Sequence, residues 1–153
     1  LIRLIVKRNS VAFFIRNRIL IHKYNKNKRF TMRKLLRLRD LKLKDSECAT
    51  EIQRIMRLYL EFRFDYPFTR TVSSQMMKAF YNATKNLIDG KKETACEDIS
   101  QIFIRTDFIR YSSDASFEND EKDGIIGRLL NDIEDIERVE DTQDKNMEDK
   151  VNA

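Results

Sequence analysis

The sequence predicts an all-α protein: a small bundle of about four core helices, led by a basic helical segment and followed by a disordered acidic tail. Three observations carry that expectation. The 153 residues include only 3 Gly and 1 Pro, too few for the turn-rich connections of a sandwich or barrel. Apolar residues recur at three- and four-residue spacing in several segments, the signature of helices with one buried face. Charge is also sorted along the chain. Residues 1–44 hold 15 Lys/Arg against the single acid Asp40, residues 45–111 hold 10 of each sign, and residues 112–153 hold 14 acids against 5 bases. With 36% charged residues, the whole chain does not form one compact core. The divisions expected are a basic lead-in over residues 1–44, a helical domain over 45–140 and a disordered tail over 141–153.

The lead-in begins with "LIRLIVKRNSVAFFIRNRILIHKY", where apolar and basic residues mix. Leu4, Val11, Phe14, Ile15 and Ile19 follow helical spacing roughly, so a basic amphipathic helix is expected over residues 1–24. "NKNKRFT" (Asn25–Thr31) reads as a polar break, and "MRKLLRLRDLKLK" as a short basic helix. Asp45 or Ser46 then offers a side-chain oxygen to cap the next helix. Its buried stripe is Ala49, Ile52, Ile55, Met56, Tyr59 and Leu60. Pro67 stops it near Phe64 to Tyr66. Phe62, Phe64, Tyr66 and Phe68 alternate with polar residues, which also fits a short strand, but the helical stripe runs straight into them.

Thr71 or Ser73 is the expected cap of a third helix, "SQMMKAFYNATKNLI", and Asp89-Gly90 reads as a turn. "TACE" (Thr94 to Glu97) matches a reciprocal capping box. That places a helix start at Thr94, with Ala95, Ile99, Ile102, Phe103 and Thr106 on one face. "SSDASFEND" is a polar connector. The last helix has the cleanest pattern, Ile125, Ile126, Leu129, Leu130, Ile133 and Ile136. Asp120, Glu121 and Asp123 favour its N-terminus. The core residues expected are Ile52, Met56, Tyr59, Phe103, Leu129 and Ile133.

No enzyme template is satisfied. The sequence has no glycine-rich phosphate loop. Cys48 and Cys96 lie far apart and His22 is the one histidine, so a zinc site of the usual Cys/His kind lacks ligands. Neither cysteine has a histidine beside it to act as base. The expectation is a protein without enzymatic activity and without a cofactor, its cysteines reduced and packed.

One short stretch raises a sharper question. "RTDFIRY" places Asp107 near a helix C-terminus, where a carboxylate meets partial negative charge. Arg110 follows at i+3 and is its neighbour on the helix surface, and Tyr111 can bury its ring while hydrogen bonding through its hydroxyl. We expect Asp107, Arg110 and Tyr111 to form a structural clasp at the helix end, or else a docking spot. Arg3, Lys7, Arg8, Arg16, Arg18 and Lys23 are the residues expected to contact anionic head groups or phosphates. Lead-ins of this composition suit the cytoplasmic side of a membrane anchor, or a nucleic-acid surface. The interspersed Phe13, Phe14, Ile15, Ile19, Leu20 and Ile21 favour a membrane interface or a partner helix. "LIRLIV" opens the chain as the trailing end of an apolar segment would, which places an anchoring helix upstream of Leu1.

The order "YLEFRF" (Tyr59–Phe64), "TVSSQMMKAF", "DFIRY" (Asp107–Tyr111) and a closing amphipathic helix (Gly124 to Val139) resembles the cytoplasmic C-terminal tail of BatD-type (aerotolerance, or oxygen tolerance) membrane proteins. The resemblance covers about two thirds of the chain. It departs from the family in "SSDASFEND", and in having neither the β-sandwich domains nor the spanning helix. It implies a non-enzymatic interaction module at the cytoplasmic face of the cell membrane, partnered by a MoxR-type AAA+ ATPase and von Willebrand factor A-domain proteins. The rival expectation is a soluble basic protein that binds nucleic acid.

Overall fold

The structure, a computed structural model, describes residues 2–88 and 90–138, with side chains from Arg8 onward. Five α-helices and two short 3-10 turns make up the fold: α1 (Ile2–Asp40), α2 (Asp45–Phe64), the turns Phe68–Arg70 and Ser73–Gln75, α3 (Met76–Ala83), α4 (Gly90–Tyr111) and α5 (Glu121–Glu137). No strand occurs among the described residues. The helix therefore carries Phe62 and Phe64, and the chain leaves it before Tyr66 without forming a strand.

Four helices close a ring. α1 packs on α2, α2 on α4, α4 on α5, and α5 back on α1. Each contributes one apolar stripe to a shared interior, as four-helix packing requires. Ile52, Met56, Tyr59, Phe103, Leu129 and Ile133 are all buried there, as their spacing predicts. Leu35 and Leu38 of α1 join the same core, so the residues just before Lys44 are part of the bundle and not only a lead-in to it. At one end Phe68 and Phe80 pack with ring centroids 5.0 Å apart and Phe64 and Phe80 at 5.8 Å. This aromatic cluster seats α3 and the first 3-10 turn beside α2.

The helix ends have local causes. Asp65 (φ 48°) turns the chain out of α2, and Pro67 prevents resumption. Lys85 and Asn86 take positive φ after α3, and Asn tolerates that region better than most residues. α3 therefore stops at Ala83, and the helix expected to run to Ile88 is shorter than its sequence pattern. Gly90 (φ 54°) opens α4, where a residue without Cβ carries the left-handed turn.

Three further expectations are corrected. α1 runs unbroken through Asn25–Thr31. Lys28 ties that segment to Glu134 of α5 at 2.6 Å, and Asn27 Nδ2 donates to the Tyr59 carbonyl at 3.4 Å. Tertiary contacts hold the polar stretch helical against its weak propensity. Thr94 lies inside α4 and donates to the Gly90 carbonyl. The capping-box match is thus an ordinary helical turn. Asp45 does not cap α2; its Oδ2 accepts the Phe117 backbone N–H at 2.9 Å, stitching the α4–α5 connector to the start of α2. The expected tail, residues 141–153, lies outside the described residues.

Candidate functional site

Two regions carry the residues singled out by the sequence. The first lies where α2 crosses α4. Gln53 is 1% exposed, and a buried amide must find partners for its donors and its acceptor. It finds them on two successive turns of α4. Its Nε2 donates to Asp107 Oδ1 at 2.6 Å, to Thr106 Oγ1 at 2.9 Å and to the Phe103 carbonyl at 3.1 Å. Its Oε1 accepts from Arg110 Nη1 at 2.8 Å, while the Arg110–Asp107 ion pair is longer, 3.4 Å. Asp107 therefore sits near a helix C-terminus because an amide from α2 and a guanidinium from α4 both donate to it. Those donors offset its unfavourable place in the helix dipole.

Of the three residues expected at this helix end, the structure brings two together with Gln53. Asp107 and Arg110 are half-buried and bonded across the interface. Tyr111 is not: it is 76% exposed, and its only described partner is Arg110, whose guanidinium carbon lies 4.9 Å from the ring centroid. The physical reason is axial, since residues four apart share nearly the same helix face. Asp107 faces α2, and Tyr111, four residues on at the final helical position, has no neighbouring helix to cover it. The third member of the knot is Gln53. Its sequence signal is a polar residue in register with the buried Ala49, Met56 and Leu60.

One turn along α2, Arg57 extends the polar seam. Its guanidinium lies over the Phe103 ring at 4.9 Å. Nη1 donates to the carbonyls of Phe68, at 2.7 Å, and Thr71, fixing the 3-10 segment to α2. Burial lowers its pKa from the ordinary arginine value, and Asp107 opposes that shift. Arg57, Arg54, Arg70, Val72, Arg110 and Tyr111 border one open cleft of about 620 Å³.

The second region is the first half of α1. Every side chain from Arg8 to Lys23 is exposed. Arg8, Arg16, Arg18 and Lys23 stand among Phe13, Phe14, Ile15, Ile19, Leu20 and Ile21, all at least 45% exposed among those apolar residues. Arg18 covers the Phe14 ring at 5.0 Å. The side chains of Arg3 and Lys7 lie outside the described residues. His22 is exposed on the same arm, far in sequence from the knot. No described helix is long and apolar enough to cross a membrane.

Elsewhere the chemistry is quiet. Cys48 and Cys96 are free and buried, and burial pushes the Cys96 thiol up to about 12, which keeps it protonated and unreactive at neutral pH. Among the described residues no group of His, Cys, Asp or Glu is placed to hold a metal ion. Asp132 of α5 is buried beside Asp98 of α4, and Asp98 is itself paired with Arg128. Comparison of the chain with protein-family models, with curated proteins and with solved structures returns no match.

Proposed function

We propose that this protein is a non-enzymatic interaction module that an exposed basic arm holds against an anionic membrane surface. The observation that carries the reading is the arm itself: a helical segment, residues 8–23, with bases and large apolar side chains exposed together. In water, such a helix leaves its phenylalanines and isoleucines unburied, at about 25 cal/mol per Å² of apolar surface. At a bilayer interface the apolar side chains enter the acyl boundary. The Lys/Arg side chains reach the head groups, each contributing about 1 kcal/mol near an anionic surface. The bundle supplies a rigid platform beside the surface. By its resemblance to the BatD-type tail, its partners are a MoxR-type AAA+ ATPase and von Willebrand factor A-domain proteins at the cytoplasmic face.

The exposed bases, with no acid before Asp40, also give nucleic acid a claim on the arm. The exposed apolar residues weigh against it, because duplex phosphates offer them nothing to bury into. Vesicle flotation separates the two. The protein is expected to float with phosphatidylcholine vesicles that contain phosphatidylserine, and to stay behind with pure phosphatidylcholine. Arg16→Glu/Arg18→Glu abolishes flotation without changing the melting temperature. Phe13→Ser/Phe14→Ser does the same. If the double Phe variant floats normally while both parent and variant bind duplex DNA with a steep salt dependence, the membrane reading is wrong.

A further inference from the structure

The cleft beside the Gln53 knot has an unusual charge balance. Four guanidiniums border it, those of Arg54, Arg57, Arg70 and Arg110, and Asp107 is the carboxylate in its lining. Arg54 is held by Glu51 at 2.8 Å and Arg110 by Asp107. Arg57 and Arg70 have no carboxylate within ion-pair distance among the described residues. Arg57 is half-buried, and all three of its acceptors are neutral: the Phe68 and Thr71 carbonyls and, at 3.4 Å, Ser73 Oγ. A partly desolvated guanidinium with no carboxylate in direct contact is costly. An incoming carboxylate recovers that cost by bidentate hydrogen bonding.

The rim supplies a second kind of contact. Tyr111 is exposed beside Arg110, and Val72 is 61% exposed across the cleft. Neither is needed by the core. Both suit an apolar side chain entering next to an acidic one. Arginine with an aromatic is also the composition enriched where partners bind most tightly.

We propose that this cleft docks a peptide segment of a partner protein, one that places carboxylates next to an apolar side chain. The carboxylates meet Arg57 and Arg70, and the apolar side chain rests between Tyr111 and Val72. Charge complementarity selects the occupant: the cleft is cationic, so a basic or neutral segment gains nothing there. The inference builds on the interaction-module reading and gives that module a docking face separate from the arm.

The test uses the full chain, a fluorescein-labelled peptide in which Leu alternates with pairs of Glu, and the same peptide with Gln for Glu. Fluorescence anisotropy should show the Glu peptide binding and the Gln peptide not. Arg70→Glu and Tyr111→Ala, both at exposed positions, should each weaken binding about tenfold or more, as removal of an anchor does. Their melting temperatures should stay at the parent value. The arm variant Arg16→Glu/Arg18→Glu should bind as the parent does, so failure of the membrane reading and failure of this one show in different experiments. No binding of the Glu peptide overturns the proposal, as does binding that is insensitive to Arg70→Glu and Tyr111→Ala. So does binding lost in the arm variant alone. The remaining acidic occupant is the chain's own C-terminal segment. Replacing Glu140, Asp141, Asp144, Glu148 and Asp149 by their amides should leave affinity unchanged, and a gain of about tenfold would mean that segment fills the cleft in cis and no partner is needed.

Discussion

The two halves of α1 are one continuous helix with opposite fates. From Thr31 to Leu38 it buries Thr31, Leu35 and Leu38 against α2 and α5. From Arg8 to Lys23 it buries nothing. Apolar content does not separate them, since the exposed half carries two phenylalanines and several isoleucines. The difference is the reach of the neighbours. α2 has 20 residues and α5 has 17, so neither extends along the whole of a 39-residue helix. A hydrophobic side chain stabilises the fold only where another element is present to cover it. That contrast can be broken by substitution.

The largest effect belongs to the covered side. Phe103→Ala removes a buried ring that also lies under Arg57, and should cost about 3–5 kcal/mol in urea unfolding. A loss below about 1 kcal/mol would mean that the α2–α4 seam is not packed as described. Gln53→Ala comes next. It strips Asp107 of its nearest donor and leaves Arg110 with the longer bond alone, for an expected cost of about 1–3 kcal/mol. A neutral result would show that water replaces the amide and that the knot contributes little to the α2–α4 crossing.

An effect of opposite sign, one that depends on pH, is expected at Asp132. Burial and the adjacent Asp98 push its carboxyl up to about 8, against about 3.9 in an unfolded chain. Through that window the folded state holds a proton that the unfolded state has released. This group therefore makes folding less favourable as pH rises from about 4 to about 8, and no further above that. Asp98, whose pKa is lowered, acts the other way: its contribution is present above its unfolded pKa and fades as pH falls through its folded one. Asp132→Asn should raise the melting temperature by an amount that grows from pH 5 to pH 8. A difference constant across that range would mean that Asp132 carries no extra proton.

The smallest effects should fall on exposed aromatics. Phe14→Ser and Tyr111→Ala should each change stability by no more than about 0.5 kcal/mol. If Phe14→Ser costs more than about 1 kcal/mol, the arm is covered in solution, and its difference from the second half of α1 disappears.

Legibility followed the same division. The stripes of α2 and α5 were readable because each buries one face against a single interior, which imposes the helical period on the residue types. α1 was not, because its apolar residues answer to two environments and its polar middle is held helical by Lys28 and Asn27 reaching to α5 and α2. Asp107 and Arg110 were legible as a pair, since both lie on one helix. Gln53 was not, because its partners lie on another helix, 50 or more residues away in sequence. Tyr111 misled because composition registers that a ring can be buried, and only the tertiary arrangement decides whether anything is there to bury it.

The unbroken helix also works as a gauge of orientation. α1 measures about 58 Å end to end at 1.5 Å per residue, with no proline to act as a joint. Whatever angle the arm adopts at a surface is imposed on the half that is wedged between α2 and α5. Under the membrane reading proposed above, an arm lying flat would lay the bundle down with its axis parallel to the lipid, and an arm standing upright would lift the cleft clear of it. Under that proposal the tilt of the first helix would determine which neighbours can reach the cleft, much as the angle of a bracket determines what can hang from it.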